Sequence, residues 1–231
     1  MRTSRGTLPT TEAHQPERGP VLEVSDLNVD FGVDGYWVPA ARHVTYSIAS
    51  GEVLAIVGES GSGKSVSSMA LLGLLPKNSR VSGSAKLAGR ELIGMKPRDM
   101  QEIRGNQISM IFQEPMTALN PVLTVGFQIV ETLRQHFGTS PAEAKARAIE
   151  LLTLVELPDP VKAFDSYPHQ LSGGQRQRAM IAQSLSCDPL LLVADEPTTA
   201  LDVTVQAEIL ELMRKLQDRL GSAILLITHD M

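Results

Sequence analysis

The 231-residue chain has one cysteine, Cys187. An internal disulfide is therefore excluded, which suits a reducing compartment. Cys187 follows an apolar stretch and precedes Asp188-Pro189, and it reads as a packed thiol. No run approaches the roughly 18 to 20 apolar residues that a membrane-spanning helix needs. Any membrane role would have to come through a partner. Positive charge is also scarce: 21 Lys and Arg stand against 26 Asp and Glu, for a net charge of -5. That balance argues against a nucleic-acid partner, which would call for a basic face. Residues 1–19 carry Arg2, Arg5 and Arg18 but no apolar core, so a signal peptide is not expected. Residues 1–20 are expected to form a disordered tail, with one domain over residues 21–231. There is no internal repeat and no sustained heptad pattern.

Hydrophobic residues make up 42% of the chain, enough for a sizeable core. Four short apolar runs, Val53–Val57, Ile108–Phe112, Leu190–Ala194 and Ala223–Ile227, read as parallel strands covered on both faces. Between them, Ser65–Leu75, Ala142–Leu154, Gln175–Ser186 and Val205–Leu220 read as helices. Strands alternating with helices define an α/β fold. Two regions depart from this rhythm. Val21–Ile48 and Val81–Leu92 read as short strands of an antiparallel edge sheet. Pro121–Pro168 holds no strand candidate and reads as an inserted helical subdomain over about residues 115–170.

Residues 58–65 read Gly58-Glu59-Ser60-Gly61-Ser62-Gly63-Lys64-Ser65, after a strand and before a helix. This is the G-x-x-x-x-G-K-S pattern of a phosphate-binding loop. Its glycines let backbone N–H groups turn inward toward phosphate oxygens, and the helix N-terminus favours an anion. Lys64 is placed to reach the β- and γ-phosphates, and the Ser65 hydroxyl to bind Mg²⁺. Asp195-Glu196 ends the run Leu190–Ala194, where α/β sheets bind ligands. Asp195 suits Mg²⁺ coordination, and Glu196 could polarise an attacking water. A second anion-binding helix start is expected at Leu171-Ser172-Gly173-Gly174-Gln175.

Together these residues resemble the ATPase family of ABC transporters, whose fold is a P-loop NTPase core with an antiparallel β subdomain and an inserted helical subdomain. The resemblance assigns Gly58–Ser65, continued by Val66, to Walker A and Leu171–Gln175 to the signature motif. Leu191–Asp195 becomes Walker B, with Glu196 as the base. Gln113 matches the Q-loop, Ala200-Leu201-Asp202 the D-loop, and His229 the switch histidine. It implies ATP and Mg²⁺ as cofactors, with Ser65, Gln113 and Asp195 around the metal. It also implies a head-to-tail pair of ATPase subunits in which Ser172, Gly173 and Gly174 face the partner's ATP. Phe31 is placed to stack on adenine, with Tyr36 and Trp37 as competitors.

Finer resemblance, in Phe112–Pro121, Tyr167–Gln170 and Pro197–Gln206, points to the branch that imports peptides or nickel. It implies a second ATPase subunit, identical or similar, with membrane permeases and, indirectly, an extracytoplasmic solute-binding protein, at the cytoplasmic face of the membrane. A nickel or glutathione importer, or a soluble ABC ATPase outside transport, is the alternative. The helical subdomain around Thr117–Gln128 would form the docking groove for a helix of the permease, using Met116, Leu119, Val122 and Leu123. The resemblance further implies more chain beyond His229, so Met231 is expected to end a fragment.

Overall fold

A computed structural model describes residues 19–114, 118–198 and 201–229. Two sheets organise it. The first comprises β1 (Pro20–Val33), β2 (Tyr36–Ala49), β4 (Ser79–Leu87) and β5 (Arg90–Glu91), antiparallel, in the order β2-β1-β4-β5. The second comprises β3 (Val53–Val57), β6 (Ile108–Ile111), β7 (Leu191–Asp195) and β8 (Ala223–Thr228), parallel throughout, in the order β3-β8-β7-β6. The α/β reading therefore stands. The expected short strands of the antiparallel sheet are instead one long ribbon of two 14-residue strands. Register shifts along β1 let it curve, so the run continues where its hydrophobic alternation breaks.

The parallel sheet is a wall between two cores. Leu191 and Val193 of β7 join Leu225 and Ile227 of β8 in a cluster with β1, β4 and helix α1 (Lys64–Leu71). Leu192, Ala194 and Ile224 point the other way, into a cluster with the helices. Successive side chains on a strand alternate faces, so uniform apolar runs serve both sides. The exception is β3, which stands at the end of the strand order with Val53 and Val57 about half exposed. The expectation that it is covered on both faces is corrected.

The helical side contains α3 (Val125–Phe137), α4 (Pro141–Leu154), α5 (Pro160–Asp165), α6 (Gly173–Ser184) and α7 (Val203–Leu220); α2 (Pro97–Ile103) lies between the two sheets in sequence. Each start on the helical side is specified locally. Thr124 and Asp159 accept N–H bonds at the heads of α3 and α5, Ser140 and Glu143 form a capping box on α4, and Asp202 caps α7. Gly138 and Gly221 end α3 and α7 in the left-handed conformation. α1 stops at Leu71, short of the expected Leu75, because Leu72 and Gly73 turn the chain out of the helix. Between β6 and α6 no strand is found among the described residues, as expected for the helical insert. The expected tail covered residues 1–20; Pro20 instead opens β1, and residues 1–18 lie outside the described residues.

Candidate nucleotide site

The loop between β3 and α1 begins at Gly58, where a Cβ would meet Ser62 Oγ at 3.2 Å and the Lys64 stem at 3.7 Å. Gly63 is still more constrained. Its φ is 88°, and a Cβ there would lie 2.2 Å from the Ala40 carbonyl of β2. The loop can pass under β2 only as glycine. Lys64 follows, 8% exposed, and its ammonium donates to the Gly58 carbonyl at 2.5 Å, the Glu59 carbonyl at 2.8 Å and Ser62 Oγ at 3.5 Å. None of these partners carries charge, so the cation remains available to an anion. Glu59, Ser60, Gly61 and Ser62 are exposed, and Val66 packs on the core beneath them.

β7 runs beside β8 and ends on the same side as this loop. The Ser65 hydroxyl donates to the Asp195 carboxylate at 2.8 Å. Asp195 is 5% exposed. Burial pushes its carboxyl above the ordinary value; the Ser65 bond opposes that rise, Glu196 adds to it and Lys64 lowers it. Hard oxygens from Ser65 and Asp195, with charge that burial leaves poorly solvated, fit Mg²⁺. Among the described residues no group of three or more His, Cys, Asp or Glu could hold a metal alone. The pair suits an ion that keeps waters and phosphate oxygens as its other ligands.

Glu196, next along, gathers two further candidates. Gln113 donates through Nε2 to Glu196 Oε2 at 3.0 Å, and His229 Nδ1 lies 3.2 Å from the same oxygen. The three come from β6, β7 and β8, whose ends coincide in register. Glu196 has a left-handed backbone (φ 45°), held by its N–H bond to the Ile227 carbonyl at 2.9 Å. Such a backbone is sparsely populated by non-glycine residues and needs surrounding contacts to hold it.

At the second motif α6 starts with a capping box. Ser172 Oγ accepts the Gln175 N–H at 3.3 Å, and Gln175 Oε1 accepts the Ser172 N–H at 3.0 Å. Ser172 and Gly173 are exposed, while Leu171 packs on the helical core. The motif also touches α7: a Cβ on Gly174 would lie 3.0 Å from Val205, and one on Gly173 3.7 Å from Leu201. Asp202 caps α7 by accepting the Val205 N–H at 3.0 Å, while Thr199 and Ala200 lie outside the described residues.

Phe31 pairs with Val38 in the ribbon and is half-buried against the antiparallel core. Tyr36 is 77% exposed and Trp37 48%, with the Arg80 guanidinium 4.5 Å above the Trp37 ring. The three aromatics are close in the hairpin but differ in environment. Cys187 is buried, and burial pushes its thiol up to about 11.

Sequence reading missed three side chains near this site. Gln177 and Gln206 bond backbone carbonyls of the segment after β7. Arg178 joins α6 to the Val155 carbonyl, Glu156 and Glu208. Gln177 left one signal: it shares a helical stripe with Met180, Ile181 and Ser184, all buried.

A phosphate loop beneath a parallel sheet, with acidic and polar groups at the strand ends, defines a P-loop nucleotide-binding domain. Residues 41–199 match the model of the ABC transporter family, and the chain belongs to that family. It is 53% identical over 213 residues to a Brucella melitensis protein carrying the name of a peptide import ATP-binding protein; 92% of this chain and 64% of that protein are covered. It is 49% identical over 221 residues to the oligopeptide transport ATP-binding protein OppD of Salmonella typhimurium, covering 96% of this chain and 66% of the relative. The chain spans less than two thirds of these relatives' own length. Among solved structures, a dimeric ATP-binding cassette in a post-hydrolysis state with ADP and Pi matches with a TM-score of 0.79 at 29% identity, covering 90% of this chain and 88% of that one.

Proposed function

We propose that this chain is the ATP-binding and ATP-hydrolysing motor of an importer for di- or oligopeptides. The convergence of Gln113 and His229 on one oxygen of Glu196, beside Ser65 and Asp195, is the observation that carries the reading. Lys64 and the loop N–H groups of residues 58–65 bind the phosphates. Ser65 and Asp195, with Gln113 nearby, hold Mg²⁺, which neutralises phosphate charge when bound. Glu196 orients water and accepts its proton. His229 and Gln113 fix the carboxylate, and His229 reaches the γ-phosphate. Phe31 stacks on the adenine.

Leu171, Ser172, Gly173, Gly174 and Gln175 face ATP held by a second ATPase subunit, with Asp202 at the same interface. The exposed Ser172 and Gly173 support this placement, as does the dimeric cassette similar in structure. Residues 115–170 act as the helical unit that meets the permease. Among the described residues no helix is long and apolar enough to cross a membrane. The motor works at the cytoplasmic face through permease subunits, and a solute-binding protein supplies cargo to them. The names of similar proteins support peptides as that cargo.

Reconstitution with permease subunits and a solute-binding protein tests this reading. Peptide should stimulate ATP hydrolysis and be taken up, and Lys64→Ala should abolish both. Stimulation by a nickel chelate or glutathione in place of peptide would reassign the cargo. Hydrolysis at the parental rate in Lys64→Ala would reject the site.

A further inference from the structure

Two glutamines grip the segment that follows Glu196. Gln177, 1% exposed on α6, donates through Nε2 to the Pro197 carbonyl at 2.5 Å. Gln206 on α7 donates to the carbonyls of Thr198 at 3.0 Å and Leu201 at 3.1 Å. Pro197 directly follows Glu196, whose own N–H is held by Ile227 of β8. Thus the left-handed backbone at Glu196 is fastened by the sheet on one side and by α6 on the other. A bond buried in low dielectric is stiff, and a buried carbonyl that loses its donor is strongly driven to move.

The position of Gln177 along α6 adds direction to this contact. It lies in the same opening stretch of helix as Ser172, the N-cap, and Gly173 and Gly174. From these observations we infer that Gln177 is a positioning residue for Glu196, linking the signature end of α6 to the water-activating carboxylate of the same chain. A nucleotide seated on Ser172–Gly174 by the partner subunit then biases Glu196 in this one, through a single amide. The inference rests on the reading of Glu196 as the base.

Three variants, compared in the assembled transporter, decide the matter. Gln177→Met keeps the length but donates no hydrogen bond. It should lower kcat about 10- to 100-fold, the scale of a small misplacement of a catalytic group, while KM for ATP stays within about twofold. Gln177→Glu should regain activity relative to the parent as pH falls from about 8 to about 6, because a buried carboxyl becomes a donor once protonated. Glu196→Gln is the reference. Parental kcat in Gln177→Met, or equal losses in kcat and affinity, overturns the inference. So does a Gln177→Glu pH profile parallel to the parent's, which decides the question alone if Gln177→Met does not fold. Parental hydrolysis in Glu196→Gln would instead overturn the reading of the base. A dead Glu196→Gln with a normal Gln177→Met would overturn only the link through α6.

Discussion

The Ser65 hydroxyl donates to the Asp195 carboxylate at 2.8 Å although the two are 130 residues apart in sequence. The bond joins the first turn of α1 to the end of β7. Ser65→Ala removes a hard oxygen and leaves Asp195 buried without its donor. Loss of a well-placed group at such a site costs at least about tenfold in metal affinity. Mg²⁺-dependent ATP binding should fall by that factor, whereas binding of ATP in chelator should change little. Magnesium titrations at fixed nucleotide check this; an unchanged Mg²⁺ requirement would remove Ser65 from the metal site.

Glu196→Gln retains shape and the bond to Gln113 but removes the basic charge. Hydrolysis should drop by about 10²- to 10⁴-fold, the usual contribution of general-base assistance, with ATP affinity nearly intact. Single-turnover hydrolysis beside equilibrium binding separates the two quantities. If hydrolysis reopens the closed pair, as the proposed function holds, the variant should also accumulate an ATP-bound dimer.

That dimer gives a test of Ser172. On the Glu196→Gln background, Ser172→Arg should abolish ATP-dependent association by placing bulk against the partner's nucleotide. Ser172 also caps α6, and loss of a cap costs about 0.5–2 kcal/mol by itself. Ser172→Ala loses the cap without adding bulk and should still dimerise. Light scattering with the permease present reads both variants; association of the arginine variant would reject a shared site.

The apolar residues expected to dock the permease divide in the structure. Leu119 is 2% exposed and belongs to the helical core, so it cannot present itself to a partner. Val122 is 74% exposed, and Leu123 is half-buried. Met116 and Thr117 lie outside the described residues. Leu119→Ala should cost about 2–5 kcal/mol in stability, measured by denaturant unfolding. Val122→Cys should leave stability unchanged and cross-link to the permease in the assembled complex.

Cys187 should be inert while the fold is intact. Its thiol, raised to about 11 by burial, favours the protonated form. A folded-state value above the unfolded one contributes stability that is complete below the ordinary thiol range and disappears as pH rises through about 11. At about pH 8, labelling of the native protein should be at least about 100-fold slower than in urea. Equal rates would show that the site opens readily.

Much of this was legible because it is written in short, local patterns. The loop Gly58–Ser65 needs only its own residues and flanking elements, and Ser172-Gly-Gly-Gln carries its own cap. Uniform apolar runs revealed β6, β7 and β8 because both faces of each are covered. The same logic overstated β3, since strand order, which decides what is covered, is not a local property. Gln113, Glu196 and His229 were singled out by resemblance, and their meeting at one oxygen was not readable from spacing. The Gln177 and Gln206 grips were hidden for another reason. An amide reaching a distant carbonyl has no sequence period, and only an interruption in the apolar stripe of α6 hinted at it.

The contact between Gly63 and β2 bears on what drift can do to this protein. Any side chain at position 63 meets the Ala40 carbonyl at 2.2 Å, so geometry leaves that position no second letter. Gly61 has φ 81° yet open space where a Cβ would sit. Asparagine or aspartate would meet no clash there, and only the strained backbone would oppose them. Two glycines two positions apart therefore have unequal futures, the first constrained by its backbone alone and the second also by contact, because a strand laid down earlier in the chain passes over only one of them.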